Sequence, residues 1–387
     1  MVETNLVLLF VVDLVAVFAA YLTVTSSLNM EFGYTGIPDF GKVLSFAAGA
    51  FAAGFLPGRL LEQLFGLDRG IQAYANNKIL ADCVTEFSFR KPEVLQGLKY
   101  VEDNVAVTTC LTRVLQNDPL LSLSVVVLTV AFAGGIGAVL GFVASYPAIR
   151  LREDYLAMTL LAMAEVVNVV GYNYPEIAGG TLGVAVPDPY AWVGGGRRFL
   201  VATIALAIMA VMAYVYMRRV SSSPFGRVMK AVRDGEVAAE ALGKDVVKIR
   251  QKVLVVSSAV AATGGALWAF YAGGVIATAY DRVTWTFWPW VMVIMGGAAN
   301  NLGVVLGTGI FVASRKLIDF YKFSLEPVLP FSVVWVDRLA LGIVLIIMLI
   351  ARPQGILAEK PSMTLKKEKI LSIISRAKEK ARPPNNQ

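Results

Sequence analysis

Apolar residues in this chain fall into long runs near 6–25, 41–60, 120–146, 154–172, 199–217, 252–275 and 339–351, with a further apolar stretch from about 285 to 319 that glycines interrupt. Most of these runs approach or reach the roughly 20 residues that carry a helix across a bilayer. Hydrocarbon offers no water to the backbone, so runs of this length predict helices. The predicted fold class is all-α, a polytopic membrane protein of about eight to nine membrane segments that include broken or re-entrant helices.

The first run follows MVETN, which carries an acid where a signal peptide has basic residues, and Leu6 to Val24 is longer than a signal core. It is expected to be a retained span. The polar segments between runs then set the orientation. Residues 218–252 hold nine Lys/Arg and 352–387 hold another nine, which places both in the cytoplasm. Between them the chain must cross an even number of times, so 285–319 either crosses twice or dips in and returns. Its centre, GGAANNLGVVLG (Gly296 to Gly307), suits a break, because Asn300 and Asn301 are poor choices against lipid. The competing use of such glycines is tight helix packing, the reading given to the GxxxG at Gly137 and Gly141.

Counting back puts 173–198 outside, 147–153 inside and 61–119 outside. The expected organisation is an N-terminal membrane part with a broken helix (1–60), an extracytoplasmic insertion (61–119), a membrane core (120–351) containing the cytoplasmic loop 218–252, and a basic tail (352–387). The insertion has eight acids against six bases and the chain's two cysteines, Cys83 and Cys110. A disulfide between them is reasonable in an oxidising exterior, and two buried thiols are the alternative. In the tail, Leu365, Ile370, Ile373, Ile374 and Ala377 form an apolar stripe among lysines, as in a helix lying on an anionic leaflet.

Composition narrows the chemistry. Only 16% of residues are charged, the mean hydropathy is +0.64 and histidine is absent, so neither a metal centre nor a catalytic constellation is expected. The formal charge of +7 is concentrated in the cytoplasmic segments and matches a lipid surface, with no nucleic-acid partner. GIPDFGKV (Gly36 to Val43) nearly matches a phosphate-binding loop, but Val43 cannot ligate magnesium and no strand precedes it.

The stretch SPFGRVMKAVRDGEVAAEALGKDVVKIRQ (Ser223 to Gln251) carries ten charges in an otherwise apolar chain. Ser223 and Pro224 read as an N-cap and first-turn pair, and Gly235 and Gly243 as interruptions. Val228, Ala231 and Val232 share one face, as do Val237, Ala238 and Ala241, while Arg227, Lys230, Arg233, Glu236 and Glu240 point elsewhere. A short helix too polar to insert, with a small-residue stripe, suits a docking knob for a partner's groove, or else an ordinary solvated loop helix.

The first part of the same stretch, SPFGRVMKAVRDGEVAAEALG (Ser223 to Gly243), closely resembles the cytoplasmic loop of LivM-type branched-chain amino-acid ABC transporter permeases. SLNMEFGYTG (Ser27 to Gly36), PAIRLREDYLAMTLLAMAEVVNVV (Pro147 to Val170), AGGTLGV (Ala178 to Val184), GGALWAFYAG (Gly264 to Gly273), VMVIMGGAANNLGVVLG (Val291 to Gly307) and ARPQGILAEK (Ala351 to Lys360) are similar to further signatures of that family, in the same order. The resemblance implies a multi-pass subunit of the cell membrane with no ATPase site of its own. Two partner ATPase subunits would bind ATP and Mg, a second, LivH-type permease would complete the channel, and an extracytoplasmic binding protein would deliver a small-molecule substrate, with leucine, isoleucine or valine leading. The segment Pro224, Phe225, Gly226, Arg227, Arg233, Glu236, Ala238, Ala239, Glu240, Ala241 and Gly243 would be the coupling helix that meets the ATPase.

Candidates for the translocation pathway are Asn29, Asp39, Lys42, Glu165, Asn168, Gly179, Gly180, Gly296 and Gly297. The family typically has Ser and His where this chain has Asp39 and Lys42. Spaced i, i+3, these two are expected to pair with each other, which lessens the cost of charge near the membrane core, or to hold a zwitterion. Asp13 and Glu165 are also acids within spans, and an ATP-independent secondary transporter driven through either of them is the alternative function.

Overall fold

The structure is a computed structural model that describes residues 2–69, 77–88, 98–151, 153–321, 334–352 and 354–359. The apolar stripe expected in the tail lies outside the described residues. The fold is helical: α1 (Val2–Leu28) runs on into a π-helical stretch, Asn29–Tyr34, and is followed by α2 (Lys42–Phe65), α3 (Lys78–Ser88), α4 (Asn104–Asn117), α5 (Pro119–Arg150) and α6 (Glu153–Asn173). After the short α7 (Pro175–Ala178) and β1 (Val184–Ala185) come α8 (Arg197–Ser222), α9 (Pro224–Asp234), α10 (Glu236–Ala241) and α11 (Val246–Ala272). The chain continues through β2 (Gly274–Val275), a second π-helical stretch Val283–Phe287, α12 (Trp288–Gly296), α13 (Asn301–Phe320) and α14 (Val334–Ala351). Among the described residues, seven helices are long and apolar enough to cross a membrane.

α11 is the centre of the bundle, and small residues let its neighbours approach. Gly137 and Gly141 of α5 lie against the backbone of Ser258 and Leu254, and Gly49 of α2 against Ala262, so closely that a Cβ at any of the three would collide. Without a hydrophobic driving force between helices in lipid, this close packing is what holds them together.

The two ends of the bundle are distinct. At one end lie the α8–α9 turn, the π-helical end of α1, residues 297–301 and residues 354–359, joined by Arg233 to Gly33 O (2.6 Å), Asn301 to Ser221 (3.1 Å) and Leu357 N to Gly296 O (3.1 Å). By the positive-inside rule this is the end expected in the cytoplasm. At the other end β1 pairs antiparallel with β2, Val184 opposite Val275. The insertion helices pack there: Tyr100 and Asn104 donate to Ala185 O at 2.9 and 3.2 Å, Ala185 N returns a bond to Asn104, and a disulfide joins Cys83 of α3 to Cys110 of α4. The glycine-broken stretch descends from β2 through the second π-helical stretch and α12 to residues 297–300 at the cytoplasmic end, and α13 climbs back.

Single cysteines at exposed Lys99 and exposed Lys244, introduced with the native disulfide intact, test this orientation. The cysteine at 99 is expected to react with an impermeant thiol reagent in intact cells and the one at 244 only after permeabilisation; the reverse pattern would invert the fold in the membrane.

Candidate functional site

Local chemistry shapes the cytoplasmic helix pair. Ser223 caps α9, its Oγ accepting from Gly226 N at 3.3 Å, and Pro224 occupies the first turn, where a missing N–H costs nothing. Gly226 sits where a Cβ would meet the carbonyl of Ser221, which allows the sharp turn out of α8. Gly235 separates α9 from α10, and Gly243, at φ +74°, follows α10. The inward face of α9 is Gly226, Met229 and Val232, all buried, whereas Ala231 is exposed, so the stripe expected from spacing is rotated. Phe225 is half-buried, and Pro224 and Arg227 are exposed.

In α10 the inward residue is Ala239, 3% exposed, and Glu236 pairs with Arg250 at 2.8 Å. Ala238, Glu240, Ala241, Gly243 and Lys244 are exposed, and Val237 and Leu242 are each 79% exposed. Two large aliphatic side chains therefore flank two alanines on a protruding cytoplasmic tip. Arg233 points the other way, donating to Gly33 O at 2.6 Å and pairing with Asp234 and Glu359 at 2.9 Å. Burial disfavours its charge, but the two carboxylates outweigh that and raise its pKa. Lys230 lies 5.5 Å from the Tyr34 ring.

The Gly33 carbonyl belongs to the first break, and the two breaks hold each other. Asn29, 1% exposed, accepts from Ala299 N at 2.9 Å and donates to Asn301 at 3.1 Å, and Tyr34 donates to the same Asn301 oxygen at 3.2 Å. Ala299 has φ 60°, rare for a residue with a side chain, and the bond to Asn29 holds it there. Asn300 caps α13 through Gly303 N at 3.2 Å. In the other direction, Trp290 of α12 donates to Asp39 O at 2.8 Å, and Val43 N at the start of α2 donates to Thr286 Oγ1 at 3.0 Å. Gly296 packs against Gly303 and Gly307 where α12 and α13 cross, and Gly297 takes φ 110°, with Leu357 where a Cβ would project.

Lys42 does not have Asp39 as its main partner. Its Nζ lies 2.9 Å from both carboxylate oxygens of Glu31 and 3.8 Å from Asp39, whose Oδ1 is bound to Gly41 N. Lys42 and Glu31 are both wholly buried, and Ser257 of α11 donates to Glu31. The helical spacing rule selected Asp39 because it sees only near neighbours; Glu31, eleven positions upstream, comes within reach only because the chain folds back between the π-helical stretch and α2. The same pairing occupies the lysine of the loop-like GIPDFGKV.

The other pathway candidates are dispersed. Gly179 and Gly180, at φ +74° and +63°, line a cavity of about 1330 Å³ at the outer end together with Asn104, Trp268 and Tyr280. Asn168 donates to Tyr280 O at 3.4 Å. Glu165 is exposed on α6 beside Val166 and Val169 and is not among the residues that bond at the breaks. Asp13, partly exposed, takes bonds from Tyr271 at 2.8 Å and Lys316 at 2.6 Å and so ties α1 to α11 and α13.

A helical bundle with two interlocked breaks, an outer vestibule and a cytoplasmic helix pair defines a multi-pass membrane transport subunit. The family model described as branched-chain amino acid transport system / permease component matches residues 10–349, and the chain belongs to that family, the one its motifs resemble. It is similar to a probable branched-chain amino acid transport permease protein LivM of Methanocaldococcus jannaschii, 34% identical over 359 residues that cover 92% of this chain and 96% of that protein. Similar to it as well are the high-affinity branched-chain amino acid transport system permease proteins LivM of Salmonella typhimurium and Escherichia coli, each 28% identical over 260 residues, covering 60% of this chain and 58% of theirs. No solved structure matches. The chain is thus a multi-pass permease subunit of an ABC importer in the plasma membrane, a transport component and not an enzyme.

The buried pair predicts a specific pattern of stability. Lys42→Met alone leaves Glu31 uncompensated and is expected to cost about 3–5 kcal/mol, whereas Lys42→Met with Glu31→Gln costs clearly less, because no buried charge remains. Thermal unfolding of the purified variants checks this; equal losses for the single and double changes would mean that the pair is not coupled.

Proposed function

We propose that this chain carries leucine, isoleucine, valine or a related amino acid through the membrane, paired with a LivH-type permease and fed by an extracytoplasmic binding protein. ATP and magnesium are bound by two partner ATPase subunits, and α9–α10 is the coupling element on which one of them docks. One observation carries this reading. The tip Val237, Ala238, Ala241 and Leu242 is exposed and apolar on α10 and the turn after it, and the preceding helix, α9, is bonded through Arg233 to the first break.

The tip and the break make a short mechanical route. Nucleotide-driven approach of the ATPases displaces the tip, α9 carries Arg233 with it, and Gly33 lies two residues from the buried Glu31. A change in the tilt of the first break is transmitted to the second by the bonds of Asn29 and Asp39, and access switches between the outer vestibule and the cytoplasm. The named relatives supply the substrate class.

Tryptophan at the tip tests the docking role separately from folding, because Ala238 and Ala241 are exposed. An interface packed around a methyl group has no room for an indole. Ala238→Trp and Ala241→Trp are expected to reach the membrane, unfold at the same temperature as the parent and lose ATPase copurification at least about tenfold, a loss of about 1.4 kcal/mol in docking. Lys244→Ala, beyond the Gly243 turn, stays within about twofold. Normal ATPase binding by both tryptophan variants would exclude α10 as the coupling element.

A further inference from the structure

We infer that residues 354–359 are a strap that sets the position of the coupling helices, and that Glu359 is its positioning residue; this rests on the coupling role given to α9–α10. α14 returns the chain to the cytoplasmic end, where the strap lies across the second break. Ile356 N donates to Met295 O at 2.9 Å and Leu357 N to Gly296 O at 3.1 Å, taking up carbonyls that the end of α12 leaves without helical partners. Asn300 Nδ2 donates to Ala358 O at 2.9 Å. Gly355 and Gly297, both at positive φ, let the two backbones touch, since a Cβ on either would run into the other segment.

The next residue is Glu359, whose two carboxylate oxygens are divided between two bases of α9: Oε1 lies 2.8 Å from Lys230 Nζ and Oε2 2.9 Å from Arg233 Nη2. All three side chains are largely covered, 29%, 17% and 23% exposed. Lys230 and Arg233 are one turn apart on α9, so without the carboxylate they are adjacent like charges that repel each other, and neither is then tied to residues 354–359. Glu359 thus does for the second break what the bond from Arg233 to Gly33 does for the first: it fixes α9 to a broken membrane element. Pairs of this exposure contribute little to folding, so the expected effect of losing one is on where α9 sits and not on whether the chain folds.

The test uses the complete transporter in liposomes, with ATP hydrolysis measured without and with leucine-loaded binding protein, alongside leucine uptake and ATPase copurification. In Glu359→Lys the ATPases are expected to copurify normally, while stimulation by the loaded binding protein and uptake each fall about fivefold, the equilibrium weight of one lost charge pair. The exchange E359K with K230E restores at least about half of the stimulation, because opposite charges again face each other.

Normal stimulation and uptake in E359K would overturn the strap, as would an exchange variant no better than E359K, or loss of ATPase copurification, which would make Glu359 part of the docking surface itself. If E359K does not reach the membrane, E359Q is measured instead: reduced stimulation supports the strap and normal stimulation overturns it. Failure of the strap alone leaves Ala238→Trp without its ATPase, whereas failure of the coupling role shows as normal ATPase binding by Ala238→Trp.

Discussion

A helix that breaks inside a membrane frees backbone groups that lipid cannot satisfy, and this protein breaks two. Each break is completed by the other. Asn29 in the first holds the strained Ala299 of the second, Asn301 answers with its oxygen, and Trp290 and Thr286 of the second cap the turn and helix start of the first. Irregular backbone at membrane depth is tolerated only where protein or water covers it, and here protein does. The arrangement of α1, α2, α12 and α13 follows, because neither break can form alone without leaving buried donors and acceptors unpaired.

The buried charges obey the same logic. Taking Lys42 and Glu31 out of water is expensive, and the cost is offset by bonds to both carboxylate oxygens and by Ser257 of the central helix. A buried pair is poor evidence of stability, but it fixes geometry strongly, since any tilt that separates the charges exposes each to an apolar surrounding. Two residues along the chain, Gly33 receives the guanidinium of Arg233. The buried pair and the contact to α9 thus lie two residues apart in the first break, which supports the proposed transmission from α9–α10 to the break.

Much of this was legible in the sequence. The spans were, because apolar runs of membrane length have few other uses, and the all-α class followed from them. Asn300 and Asn301 marked the second break, since amides facing lipid make no sense. The capping pair Ser223 and Pro224 and the two glycines delimited α9 and α10. What spacing could not give was partners across the fold. Lys42 was assigned to Asp39 by a helical rule, and that contact is present at 3.8 Å, but its closer carboxylate, at 2.9 Å, is Glu31 on the far side of a turn. Spacing grouped Val228, Ala231 and Val232 on one face of α9, but Val232 is buried with Met229 while Ala231 is exposed, because α9 is oriented by the anchors of Lys230 and Arg233 and not by hydrophobicity alone. Glu359 stood only within the signature ARPQGILAEK, with no role attached, since its partners on α9 are more than a hundred positions away in the chain.

The central claim is that an ATP-hydrolysing subunit sits on the exposed tip of α10. A photo-crosslinking residue placed at Leu242, 79% exposed, in the assembled and active transporter measures this directly, with the same residue at Val169, exposed on the membrane face of α6, as the control. The account predicts a crosslinked product containing the ATPase from position 242 and none from position 169. An active transporter that gives no ATPase product from position 242, or gives it equally from 169, would contradict it.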